Sequence, residues 1–564
     1  MTLPALSLPK TARFRLIWLP GQLLVSRTQA WSRRIGQQEL SERLLPCVQQ
    51  IQRLNRAYRP PRTRLAQLAA FQNALFDCFV AEKELIRLSR NLPKGTVTTV
   101  QQLDNLYAHI ADGYKLVIHQ LASLPELDDE NALLIQEAIY FALKFLARRL
   151  LLAYAQYLPL PKGVWRELHQ IYRYADENAL LFHIIDDQAS DVSFPVFHSG
   201  DFIYKRITLV ALAEPYRLMQ DECIELYSLS SHWTSACSLF PLGKLSTQGE
   251  HVVDLADDQP PRFVTPDLSW RPMDGRVIDI TEVVERLEKD LAGLLRNEKR
   301  GSEFDLLDLE ERQKRDMLLR VITTYQGKPV RRSKRFSLTE TVEFVTTISA
   351  CHQQLLQNKA YSPEMDELKL ISAMHRENGE ATQERFANRY KIALEKDQRS
   401  QRSAFTLHTA SQLNINPLGL ALEFETMQHT TIKVGELIAY RFCNKNQPRW
   451  QLGSACWMRQ VNDDTCRFGI VNLSNNAIPV AIKSAADNPG QQSYYRALLI
   501  PKHVSHQQIR SLVLPSLSFD VGSELVMNMG RSLMYIRLSR MLVSTRAFAQ
   551  YEFEVQQKPL DFLL

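Results

Sequence analysis

Two short segments in the second half of the chain carry side chains suited to an anionic, aromatic ligand. The first is Arg331-Arg332-Ser333-Lys334-Arg335 and the second is Asn414-Ile415-Asn416-Pro417-Leu418-Gly419. A guanidinium binds phosphate through two parallel N–H bonds and also stacks on a planar base. Arg331 and Arg335, spaced i and i+4 in an extended or turning segment, can serve both purposes. Arg332 and Lys334 add positive potential. The carboxamides of Asn414 and Asn416 can accept from the edge of a guanine and donate to phosphate. Gly419 permits close backbone approach. Each segment alone has a plainer reading. An arginine run is commonly a solvated helix end, and Asn-x-Asn-Pro-x-Gly is a turn signal.

Elements must bring the two segments together, because Asn414 lies 79 positions after Arg335. Up to about residue 240, apolar residues recur at three and four spacings in Leu65–Arg90, Val100–Leu121, Ala132–Tyr157 and Ile203–Leu229, which predicts helices. Pro60-Pro61, Pro93, Pro159, Pro161 and Pro215 punctuate them. The Ala132–Tyr157 segment is apolar almost all round and is expected at the centre of a bundle. Residues 249–261 read as a short strand and a loop, and 279–324 as helix again. From about Lys328 the pattern turns to strands. These are Thr341–Ser349, Leu420–Phe424, Glu436–Phe442, Trp450–Gln460, Cys466–Leu473 and Ile478–Ile482, with Asn-rich turns between the later ones. Five or six such strands point to a small barrel. A second series, Tyr494–Ile500, Ile509–Leu514, Glu524–Met529, Ser532–Leu538 and Val543–Val555, reads as a half-barrel packed on the first. Residues 357–403 fit no strand. Phe386, Tyr390, Ala393 and Leu394 form a narrow stripe there, as in a helical insertion that packs on another surface or self-associates.

On this pattern the chain is an α+β multidomain protein. It divides into a helical bundle or solenoid-like domain (1–240), a mixed connector with helices (241–327), a β-barrel with a helical insertion (328–484) and a second β unit (485–564). Its 564 residues exceed what one core usually serves. A net charge of +6 is mild for this length and argues against a nucleic-acid polymer as partner. The eight cysteines are scattered with no CxxC, so no metal is expected. Lys144, Arg148 and Arg149 sit within the most apolar segment, against a membrane span. No secretory signal is recognised, and a cytoplasmic location follows by elimination. His169 lies on an aromatic-apolar helical face with Trp165, Leu168 and Tyr172, the usual setting of a satisfied core histidine. His251, Asp254, Asp257 and Asp258 are close together without a nucleophile. Glu282, Glu285 and Glu288 form a solvated face. No Gly-rich phosphate loop, zinc-protease or serine-hydrolase motif is present, so no enzyme is expected.

Taken with the strands behind them, the two opening segments resemble the PilZ domain, chiefly over 328–350 and 410–484. The family pattern is RxxxR before the first strand and (D/N)xSxxG later. Arg331 and Arg335 match the first element, and Asn414 and Gly419 the second. Asn416 replaces the serine. Trp450, Trp457 and Phe468-Gly469-Ile470 are similar to the back half of the barrel. The resemblance implies a six-stranded barrel and a non-enzymatic receptor for cyclic di-GMP that needs no cofactor. It would act through a protein partner, reached by the helical half, in motility, pili or biofilm. Some atypical members use inserted helices to oligomerise. The alternative is a scaffold whose degenerate barrel holds no ligand.

Overall fold

Helices dominate as far as residue 230. The computed structural model describes residues 6–11, 20–71, 94–187, 198–219, 221–243, 249–265, 272–300, 309–327, 336–337, 339–357, 362–364, 366, 405–425, 432–443, 449–462, 464–485, 494–502, 509–516 and 518–556. The chain splits into two units, Met1–Ser302 with Met317–Val330, and Glu303–Asp316 with Arg331–Leu564.

In the first unit the helix Asp129–Ala155 is central. Nearly every side chain from Ile135 to Ala155 is buried, as expected of a helix apolar on all faces. Asp128 starts it by accepting from the Asn131 N–H at 2.8 Å. Its buried charges are paired. Lys144 donates to Asp187 at 2.5 Å, and the Tyr140 hydroxyl donates to the same carboxylate at 2.7 Å. Arg149, half-buried at the edge of this core, donates to Asp104 at 2.8 and 3.1 Å. Such pairing is what lets charge stay inside a core. Among the described residues no helix is long and apolar enough to cross a membrane.

The helix predicted over Ile203–Leu229 is two helices, Gly200–Leu212 and Glu222–Ser230. Glu214, at φ 53°, and Pro215 interrupt it, because proline has no N–H to continue the ladder. The connector is also richer than predicted. Strands β1 (Ser238–Pro241), β2 (Glu250–Asp254), β3 (Arg262–Val264) and β4 (Gly275–Asp279) form an antiparallel sheet in the order β1-β4-β2-β3. Strands of three to five residues are too short to show a period of two.

The second unit holds two closed six-stranded barrels. The first is built from β5 (Thr341–Thr346), β6 (His408–Asn416), β7 (Gly419–Glu425), β8 (Leu437–Phe442), β9 (Gln451–Asn462) and β10 (Thr465–Ser474), closing in the order β10-β7-β6-β5-β8-β9. Phe344, Leu422, Phe424, Ile438, Tyr440, Phe468 and Ile470 fill it. The strand predicted to reach Ser349 stops at Thr346. Thr347 turns to φ 76°, and its hydroxyl accepts from the Ala350 N–H at 3.3 Å, starting the helix Ile348–Leu355.

The second barrel comprises β11 (Ile478–Ser484), β12 (Tyr495–Ile500), β13 (Ser511–Pro515), β14 (Glu524–Asn528), β15 (Leu533–Ser544) and β16 (Phe548–Val555). Its order is β11-β12-β13-β16-β15-β14. Two expectations are corrected here. The second β unit is a complete barrel, not a half, and β11 belongs to it although its residues read as the last strand of the first barrel. β11 pairs with β12 and β14 and not with β10. A run of alternating residues shows that a strand exists but not which sheet receives it. The two barrels share a core around the helix Ile348–Leu355. Ala350 and Cys351 pack with Leu437, Ala439 and Leu452 from the first barrel and Leu498, Ile500, Val513 and Phe548 from the second. The predicted insertion at about 357–403 lies almost wholly outside the described residues.

Candidate ligand site on the first barrel

Asn414 and Asn416 are not in a turn that opens the strand series. They end β6, and Pro417-Leu418 make a tight hairpin to β7, with Asn416 paired to Gly419. A register shift between Gln412 and Asn414 leaves Leu413 as the extra residue. Bulges of this kind re-aim the side chains that follow. Ile415 points inward and packs on the barrel core. Asn414 and Asn416, one residue either side, therefore lie on the opposite face of the strand.

The two carboxamides differ in what they can offer. The Asn416 Oδ1 accepts from the Leu418 N–H at 3.0 Å, an Asx turn that holds the hairpin and leaves its N–H₂ as donor. Among the described residues none hydrogen-bonds to the Asn414 side chain. Gly419 has a structural reason of its own. A Cβ at this position would overlap the Ile470 carbonyl oxygen, where β10 crosses close to β7.

Arg331, Arg332 and Arg335 lie outside the described residues. The residue that follows them does not. Phe336 forms an antiparallel bridge with Ile415, outside any regular strand. Its N–H donates to the Ile415 carbonyl at 2.9 Å, and its carbonyl accepts from the Ile415 N–H at 3.0 Å. A little further on, the Gln412 N–H donates to the Glu340 carbonyl at 2.9 Å. The approach to β5 is thus tied beside β6, and the arginine run ends one residue before a contact flanked by Asn414 and Asn416. Sequence reasoning missed Phe336, and no side-chain signal could have found it, because its part is played by backbone.

The remaining sequence candidates have structural roles. His169 is fully buried, with Nδ1 2.9 Å from the Tyr204 hydroxyl and Nε2 3.0 Å from the Gln259 carbonyl oxygen. Burial pushes its pKa down to about 4. Asp258 accepts from the Gly163 and Arg166 N–H groups at 2.6 and 3.0 Å, capping the helix Val164–Glu177. Asp254 accepts from the N–H groups of Ala256, Met273 and Asp274 at 2.9–3.0 Å. Glu282 pairs with Arg286 at 2.6 Å. Among the described residues no group of His, Cys, Asp and Glu could hold a metal ion. Trp457 and Gly469 face one another across β9 and β10, and a Cβ on Gly469 would overlap the indole. The Trp and Gly-Ile pattern thus records a packing pair.

Comparison with known proteins agrees with the order of the helical region and the two barrels. Residues 26–242 match the model of the cyclic-di-GMP receptor FimW N-terminal domain. Residues 365–479 match its middle PilZ domain, and residues 480–556 the FimW C-terminal beta-barrel domain. The junction at 479/480 falls within two residues of the start of β11. The cyclic-di-GMP receptor FimW of Pseudomonas aeruginosa is 22% identical over 559 residues, covering 93% of this chain and 89% of that protein. No solved structure matches the chain. A helical domain, a PilZ barrel and a second barrel, matched in tandem over more than half of its length, place the chain in the FimW family of atypical PilZ-domain proteins.

Proposed function

We propose that this chain is a non-enzymatic receptor for cyclic di-GMP, with its site where the Arg331–Arg335 run meets the end of β6. The observation that supports this most is the Phe336–Ile415 bridge, which closes the sequence gap between the two segments. Arg331 and Arg335 clamp phosphate and stack on guanine, and Arg332 adds positive potential. Asn414 pairs with the guanine edge. Asn416, its oxygen engaged in the turn, donates to phosphate. Gly419 lets the hairpin lie close against β10, where a Cβ would meet the Ile470 carbonyl.

Ligand capture changes which surfaces the chain presents to a protein partner. On the family resemblance, that partner docks on the helical half, the setting is the cytoplasm, and the output is motility, pili or biofilm. Calorimetric titration of the full chain with cyclic di-GMP tests the reading, with chromatography of the recovered ligand. Saturable heat with intact ligand is expected. Absence of heat and of any melting shift at high ligand would leave the chain a scaffold, and cleavage of the ligand would make it an enzyme.

A further inference from the structure

Across the ring from β6, where the outside of the first barrel meets the helix Ile348–Leu355, lies a cavity of about 600 Å³. Its wall follows from the alternation of β8. Ile438, Tyr440 and Phe442 point into the barrel, and Leu437 and Ala439 point into the core shared by the two barrels. Arg441 is the next residue on that outer side. Its Nε donates to Glu343 at 2.6 Å, and its guanidinium lies 4.7 Å from the centroid of Trp450. Arg449, Gln354, Gln357 and Asn476 also line the cavity. Among the described residues none of these four side chains has a hydrogen bond or ion pair. Among the described residues no carboxylate lines the wall.

The described lining thus offers three carboxamides and one guanidinium that no described residue engages, Gln357, Arg449 and Asn476 being exposed, beside an indole covered by a second guanidinium. Carboxamides pair with the donor and acceptor edge of a base. An indole or guanidinium plane supplies a stacking face. An unpaired arginine takes a phosphate. The volume lies in the range of small-ligand sites, about 300–1,000 Å³. We propose that this seam is a second binding site, for a purine nucleotide, separate from the arginine run. The ligand is either a free mononucleotide or one half of a cyclic dinucleotide. The helix Ile348–Leu355 and the β10–β11 connection both border the cavity, so an occupant would brace the two barrels against each other.

The test uses the full chain and three probes, namely GMP, cyclic di-GMP and inorganic phosphate, titrated into wild type, Arg449→Ala, Asn476→Ala and Arg335→Ala. Arg449 is exposed, so its replacement is expected to leave the melting temperature unchanged. GMP binding that falls at least about tenfold in Arg449→Ala, falls also in Asn476→Ala, and persists in Arg335→Ala supports the seam site and a mononucleotide. The same pattern with cyclic di-GMP alone supports the dinucleotide source. No binding of either nucleotide at millimolar concentration overturns the proposal. So does binding indifferent to Arg449→Ala and lost in Arg335→Ala, or phosphate that binds as tightly as GMP. Because Arg335 and Arg449 are tested separately, loss of the receptor reading and loss of this one are distinguishable.

Discussion

Phe336 and Ile415 exchange both of their backbone hydrogen bonds, at 2.9 and 3.0 Å, although 79 positions separate them in the chain. The contact lies outside the regular ladder of either strand. It joins the segment leading into β5 to the last turn of β6, and it places the residue after Arg335 between Asn414 and Asn416.

That bridge can be tested apart from the arginines. Phe336→Pro removes the N–H that donates to Ile415. One backbone hydrogen bond contributes about 1 kcal/mol, so cyclic di-GMP affinity should fall roughly fivefold with little change in melting temperature. Arg335→Ala should cost more, about 1.5–3 kcal/mol for a charge-assisted contact. Calorimetry ranks the two variants. Equal affinity in wild type and Arg335→Ala would remove that arginine from the site.

Gly419 and Gly469 are both required by close packing, against different neighbours. A Cβ on Gly419 meets the Ile470 carbonyl, which belongs to a paired strand and cannot step aside. Gly419→Ala should destabilise the barrel by about 1–3 kcal/mol, an overpacking cost. A Cβ on Gly469 meets the Trp457 indole. Truncating that ring should relieve Gly469→Ala, so the cycle with Trp457→Ala is expected to couple by more than about 0.5 kcal/mol. Denaturant midpoints measure both, and additive Gly469 and Trp457 effects would contradict the packing account.

Two buried histidines make stability fall in mild acid. His169 in the helical unit and His352 between the barrels are each pushed down from 6.5 to about 4, mainly by burial, with the Arg496 charge adding to the shift at His352. Between those two pH values the unfolded chain binds protons that the folded chain does not, so stability rises with pH there and levels off above about 6.5. Each histidine should contribute roughly 1.4 kcal/mol per pH unit inside the window. His169→Gln is expected to flatten the pH dependence of the helical unit's melting, and His352→Gln that of the barrels. Profiles unchanged by either replacement would show that other groups set the acid limit.

The Lys144–Asp187 pair inside the helical unit should be costly to break and cheap to replace. Lys144→Met leaves a buried carboxylate with the Tyr140 hydroxyl, and a loss of about 3–5 kcal/mol is expected. Lys144→Met combined with Asp187→Leu removes both charges and should recover most of it. Thermal unfolding of the two variants reads the difference directly.

Much of this fold was legible in advance because it rests on local periodicity. The helices Lys94–Ala122 and Asp129–Ala155 have apolar faces long enough to show a 3.6-residue repeat. The strands β7 to β10 are runs of six or more residues rich in apolar and aromatic side chains, with Asn-rich turns between the later ones. β6 was hidden because two of the three side chains it buries at its start, His408 and Gln412, are polar, so its sequence shows no apolar alternation. The short sheet β1–β4 and the helix Ile348–Leu355 fell below the length at which a period can be counted.

The residues with the right chemistry were also legible. Arg331, Arg335, Asn414, Asn416 and Gly419 stand out by type and spacing, and the PilZ resemblance follows from them. The contact of Phe336 with Ile415 was not legible, and neither was the assignment of β11 to the second barrel. Side-chain types and local period are properties of a few consecutive residues, so the sequence alone determines them. Which strand lies beside which, and therefore that Phe336 meets Ile415, depends on long-range pairing and closure of a six-stranded ring, which only the tertiary structure decides.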